Sequence, residues 1–160
     1  MKTRNFSTWT LLVAIALTAA ACNGGNAVDD TGTTQATSNA QVSNACPADG
    51  CEIRILDVTR EGDELKITWE ANFAPDVSRN HIHVYWDTFT AEQVSSDAEA
   101  SGFTQGEWVP TDAYPAYVTE SEVSMANRGA STTVCVTAGD RDHAVLDTTI
   151  FDCRDVSDQL

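Results

Sequence analysis

The chain has 160 residues, of which 42% are apolar, 8% aromatic and 21% charged, and its formal net charge is -15. A length in this range fits one domain. Nine Lys and Arg against 24 Asp and Glu leave no basic cluster to neutralise phosphates, which argues against a nucleic-acid partner and makes an anionic membrane surface a repulsive one.

Residues 1–10 carry Lys2 and Arg4 and no acid, and residues 11–21 (LLVAIALTAAA) are small or apolar apart from Thr18. The apolar run is about half of the roughly 20 residues that a membrane-spanning helix needs, so residues 1–21 read as a secretory leader. Ala19, Ala20 and Ala21 suit the pocket of a signal peptidase, and Cys22 follows them directly. Leu17-Thr18-Ala19-Ala20-Ala21-Cys22 resembles a bacterial lipobox, in which the cysteine becomes the lipid-modified N-terminus; Ala19 stands where that pattern prefers Leu. Ordinary cleavage after Ala-x-Ala would cut the same bond and release a secreted protein. The cysteines favour lipidation, because Cys22, Cys46, Cys51, Cys135 and Cys153 are an odd set for an exported chain. Two or three acyl chains at about 0.8 kcal/mol per buried CH2 make a stable anchor. The expected location is the bacterial envelope, with the membrane a partner through lipid.

Residues 22–44 hold no aromatic residue, Leu or Ile and are rich in Thr, Ser, Asn, Gln and Gly. Such a segment buries too little apolar area to offset the entropy of ordering, and reads as a flexible tether. At 5–6 Å times the square root of its length it spans on the order of 25 Å.

The domain is expected over residues 45–160, where short apolar runs alternate at period two between turn residues. Leu65, Ile67 and Trp69 alternate with Lys66, Thr68 and Glu70; Ile82, Val84 and Trp86 with His81, His83 and Tyr85; Val134, Val136 and Ala138 with Thr133, Cys135 and Thr137. Each pattern predicts a half-buried strand. Further strands are predicted at 52–59, 116–125 and 148–155, and no window carries a long helical stripe. Six or seven strands in a domain of this size predict an all-β, antiparallel sandwich.

Gly62-Asp63-Glu64-Leu65-Lys66-Ile67-Thr68-Trp69 resembles the second strand of a fibronectin type III or related immunoglobulin-like domain, with its core Trp. Residues 131–138 (STTVCVTA) are similar to the penultimate strand of that family. The chain departs from the family at Thr133, near the usual corner Tyr, in its four domain cysteines, and in the long connection 88–110. Function does not follow from such a fold.

Four cysteines outside the cytosol point to two disulfides. The expected pairs are Cys46 with Cys51, around a four-residue loop, and Cys135 with Cys153 across the last hairpin. A structural zinc site on cysteine is the rival reading, since Cys46-x4-Cys51 is a workable ligand spacing.

Three histidines carry the one constellation with chemistry in it: His81 and His83, two apart, and His143 in Asp140-Arg141-Asp142-His143. Side chains two apart on a strand share a face, so both imidazoles can converge on one ion. In a fibronectin-like topology His143 leaves the penultimate strand near the end where the chain enters His81, so His81, His83 and His143, with Asp142 or Asp140, could hold zinc or copper(II). The His-x-His strand is similar to the copper strand of copper/zinc superoxide dismutases, which need more histidines than this chain has. The plainer reading leaves the imidazoles on the solvent face of the sheet. The Asp140–Asp142 turn lacks the spacing of a calcium loop.

No Gly-x-Ser-x-Gly elbow or phosphate-cradling glycine loop is present, so no catalytic residue is assigned. Phe103, Trp108, Tyr114 and Tyr117 lie in or beside an irregular Pro- and Gly-marked region, where aromatics either bind a protein or carbohydrate partner or cover a sheet edge. The leading expectation is a lipid-anchored interaction or structural module without catalysis. A zinc- or copper-binding envelope protein is the alternative, and an extracellular hydrolase comes behind it.

Overall fold

In the computed structural model the described residues are 43–160. The leader, the lipidation site at Cys22 and nearly all of the tether lie outside them. Seven strands form two antiparallel sheets, and no α-helix occurs among the described residues. The strands are β1 (Ile53–Glu61), β2 (Glu64–Ala71), β3 (His81–Trp86), β4 (Val109–Thr111), β5 (Ala116–Val118), β6 (Thr133–Gly139) and β7 (Phe151–Asp155). One sheet has the order β1-β2-β5 and the other β4-β3-β6-β7.

Period-two burial builds the space between the sheets. Leu65, Ile67 and Trp69 of β2 face Ile82, Val84 and Trp86 of β3 and Val134, Val136 and Ala138 of β6 in one buried cluster. A fully buried side chain of this kind contributes about 1.5–3 kcal/mol. In β1 the parity changes midway: Ile53 and Ile55 are buried, then Val58, because the register slips between Ile55 and Asp57 and leaves Leu56 exposed. A bulge there keeps the apolar side chains on one face, since a shift by one residue would otherwise turn the rest outward. Beside the bulge the Ile55 N–H donates to Asp152 Oδ2 at 2.7 Å and Arg154 donates to the Ile55 carbonyl at 2.9 Å. These bonds stitch β1 to β7 of the other sheet.

Disulfides join Cys46 to Cys51 and Cys135 to Cys153. The second pair sits directly opposite in the β6–β7 register. Two such bridges indicate an oxidising compartment. No described helix is long and apolar enough to cross a membrane. The sheet that carries β3 has Pro110 on its edge strand β4, where a missing N–H does no harm.

Three sequence expectations need correction. The strand predicted over 116–125 stops at Val118 and gives way to two 3-10 turns, Ser121–Val123 and Met125–Asn127. These turns serve Glu64, whose carboxylate accepts from Thr119 Oγ1 at 2.6 Å, from the Met125 N–H at 3.0 Å and from the Ser124 hydroxyl. The strand predicted over 148–155 begins only at Phe151. The largest difference concerns β3. Every residue of it is buried, so the face that alternation assigned to water is covered as well.

The cover is the long connection between β3 and β4. It descends through a series of turns, with Val94 N–H donating to the Thr90 carbonyl at 3.2 Å and Ser101 N–H to the Asp97 carbonyl at 3.0 Å. Val94 packs with Tyr85 and Cys135 into a second small core, flanked by Phe89, Trp108 and Val145. Polar bonds pin this layer to the loop after β6: Ser96 N–H donates to the His143 carbonyl at 2.8 Å, and Val145 N–H to Ser95 Oγ at 2.9 Å.

Candidate metal centre

His81 and His83 lie on the covered face of β3, and both are fully buried. The sequence reading that exposes them treats the 88–110 connection as a mere link, whereas that segment is the lid. His143 reaches the same place from the turn after β6. Its backbone is left-handed, with φ 63°, a conformation uncommon for a non-glycine residue. Asp140 shapes that turn: its Oδ1 accepts from the Asp142 N–H at 2.8 Å and the Ala144 N–H at 3.0 Å.

The three imidazoles converge. His81 Nε2 stands 3.1 Å from His83 Nε2 and 2.9 Å from His143 Nδ1. One nitrogen from each ring lies within 4.8 Å of the other two, and no carboxylate or thiol among the described residues joins the group. Asp142 is therefore not part of it. Asp142 is exposed and paired with Arg141 at 3.4 Å.

The far nitrogens of the two strand histidines are fixed by carbonyls. A carbonyl only accepts, so the hydrogen lies on Nδ1 where His83 donates to Val94 O at 2.8 Å and His81 to Arg79 O at 3.3 Å. Both Nε2 atoms then present lone pairs to each other. His143 can donate one hydrogen to His81 Nε2, but among the described residues His83 Nε2 still has no donor. A second proton is no remedy, because burial drives the pKa of His83 down to about 3. Burial also lowers His81, against the pull of the Arg79 carbonyl and of Asp140 and Asp112. The pocket disfavours a proton and retains nearby carboxylates that favour a cation.

Trp108 closes the site. Its indole stacks on the His83 ring, with centroids 3.9 Å apart and planes 17° from parallel. The four aromatics expected as one surface are thus divided. Tyr117 belongs to the sandwich core, stacked on Trp69 at 6.0 Å, and Trp108 belongs to the histidine site. Phe103 and Tyr114 remain exposed, at 43% and 52%.

Sequence reasoning missed the carbonyls of Arg79 and Val94, which carry no side-chain signal. It also missed Gly139, which pairs with His81 across β3 and β6. Val94 had a readable sign, since Ala91, Val94 and Ala98 are apolar positions three and four apart in a polar stretch, and all three are buried. The chain matches no protein-family model, no curated protein and no solved structure.

Proposed function

We propose that this protein is an exported metal-binding β-sandwich in which His81, His83 and His143 hold one divalent transition-metal ion, zinc or copper. The observation that carries the reading is the facing pair His81 Nε2 and His83 Nε2, 3.1 Å apart with both Nδ1 hydrogens committed to carbonyls. Two buried lone pairs at that distance repel unless a cation lies between them, and imidazole nitrogen suits zinc and copper(II). Carbonyls behind ligating histidines fix the tautomer and orient the ring, an arrangement typical of metal sites.

The sandwich is best read as fibronectin type III-like. In support, the strand bearing core Trp69 is second in order, the 131–138 segment supplies the penultimate strand, and β3 pairs with that strand. On this reading the leader directs export, Cys22 carries lipid, and the tether holds the metal site clear of the membrane.

Calorimetric titration of the intact chain with zinc and with copper(II) tests the function. One ion per chain is expected, lost in the variant His81→Ala/His83→Ala/His143→Ala. No saturable binding at micromolar metal, or binding that survives the triple substitution, overturns the proposal. Near-ultraviolet circular dichroism of the variant reports whether its core is intact.

A further inference from the structure

We infer that the ion is copper(II), held by three nitrogens in a T-shaped set centred on His81, with one equatorial position left for a small exogenous ligand. The inference rests on the metal-binding reading and adds the identity of the ion and its open valence.

Geometry comes first. His81 stands between the other two histidines. Ring centroids lie 5.0 Å from His81 to His83 and 4.8 Å from His81 to His143, while His83 and His143 are 6.1 Å apart. The short nitrogen contacts, 3.1 and 2.9 Å, both involve His81. A tetrahedral ion with bonds of about 2.0 Å would hold three nitrogens at one mutual separation of about 3.3 Å. A square-planar ion keeps cis nitrogens at about 2.8 Å and lets the trans pair stand much further apart. The observed set has two near pairs through His81 and one wide pair, with ring centroids 6.1 Å apart and nitrogens within 4.8 Å, and so stands nearer the second arrangement than the first.

Ligand chemistry points the same way. Copper(I) prefers thiolate and thioether. Among the described residues the four cysteines are in disulfides, and Met125 packs against the sandwich core. Nitrogen alone is offered, in a protein whose disulfides belong to an oxidising compartment.

Among the described residues no carboxylate or thiol stands with the three nitrogens to fill the fourth position. Asp142 pairs with Arg141, and Asp140 spends Oδ1 on two backbone N–H groups. Trp108 presents a ring face to His83 and has no lone pair to give. His81 and His83 are sealed, whereas His143 is only partly buried and sits on a surface turn, so access lies on its side. Three protein ligands with a vacant fourth define an ion that carries water or a small anion in exchange with solvent.

Affinity does not test this, because copper(II) outbids zinc at nearly any nitrogen site. Electron paramagnetic resonance does. One equivalent of copper(II) on the intact chain is expected to give an axial signal with hyperfine structure from three nitrogens. Millimolar sodium azide is then expected to shift that signal and to raise a near-ultraviolet charge-transfer band. Copper bound with a signal that azide leaves unchanged, or with the signature of a flattened tetrahedron, overturns the inference while the metal-binding reading stands. Absence of any zinc or copper binding overturns both. His143→Gly, on the surface turn, is expected to reduce the coupled nitrogens to two and to weaken copper at least tenfold; an unchanged signal in that variant likewise overturns the inference.

Discussion

Gly139 faces the His83 ring so closely that a β-carbon built on it would stand 2.3 Å from Nε2 and 2.7 Å from Cε1. The glycine is there for room, since its backbone is in an ordinary strand and pairs with His81. The atom it makes way for is Nε2 of His83, the nitrogen proposed as a ligand. Gly139→Ala therefore pushes the ring out of the cluster. The expected stability loss is ~1–3 kcal/mol, as for other overpacked interiors. The expected loss of metal affinity is about 10- to 100-fold, the range for a disturbed ligand orientation. Denaturant melts and calorimetry on the same preparation separate the two effects, and unchanged affinity would show that His83 is not a ligand.

Trp108 stacks on the His83 ring. Trp108→Ala removes the lid over the ring but neither carbonyl anchor. Metal release in stopped-flow chelation is expected to be faster by roughly tenfold, in line with the effect of outer-shell partners on affinity. A release rate equal to that of the parent would assign Trp108 to packing alone.

His143 carries backbone strain at φ 63°. A left-handed L-residue costs roughly 1–2 kcal/mol, while a glycine there adds about 0.5–1 kcal/mol of unfolded-chain entropy. Without metal, His143→Gly should melt no lower than the parent, although it loses the ion. A marked fall in the metal-free Tm would mean that the imidazole is there for packing.

The Cys135–Cys153 bridge closes a loop with a sequence separation of 18, for which chain entropy gives about 3 kcal/mol. The double variant Cys135→Ala/Cys153→Ala should lose stability of that order in urea while keeping one ion per chain. Loss of metal stoichiometry in a variant that still folds would tie the bridge to the site.

Glu64 sets an acid limit on the fold. Partial burial raises its pKa, but donation from Ser124, Thr119 and the Met125 N–H outweighs this and holds it below its ordinary value of 4.5. A depressed carboxylate contributes stability that is fully present above the unfolded value and is lost as pH falls through the folded one. The parent should therefore lose Tm below about pH 4.5, and Glu64→Gln should show a shallower dependence over that window. Parallel Tm curves for the two proteins would remove Glu64 from the account.

Much of the fold could be read from local pattern, because a strand with one face in a core must alternate. Leu65, Ile67 and Trp69 declare β2, and Val134, Val136 and Ala138 declare β6. Pattern fails where long-range contacts take over. Residues 121–127 leave the strand pattern for two 3-10 turns, from which Ser124 and Met125 donate to Glu64, and Val109–Thr111 is too short a strand to show a period at all.

For the histidines the division is sharper. The amino-acid order alone placed His81 and His83 on one side of a strand, since side chains two apart always share a face, and it marked Cys46, Cys51, Cys135 and Cys153 as partners for one another. Whether that side met water was not a local matter. Alternation reports that two faces differ and says nothing about what a distant segment lays over the polar one. Only the tertiary structure, by folding Val94 and Trp108 across β3 and swinging His143 in from the turn after β6, buried the two strand histidines that the sequence read as an exposed face and brought the partly buried third imidazole to them.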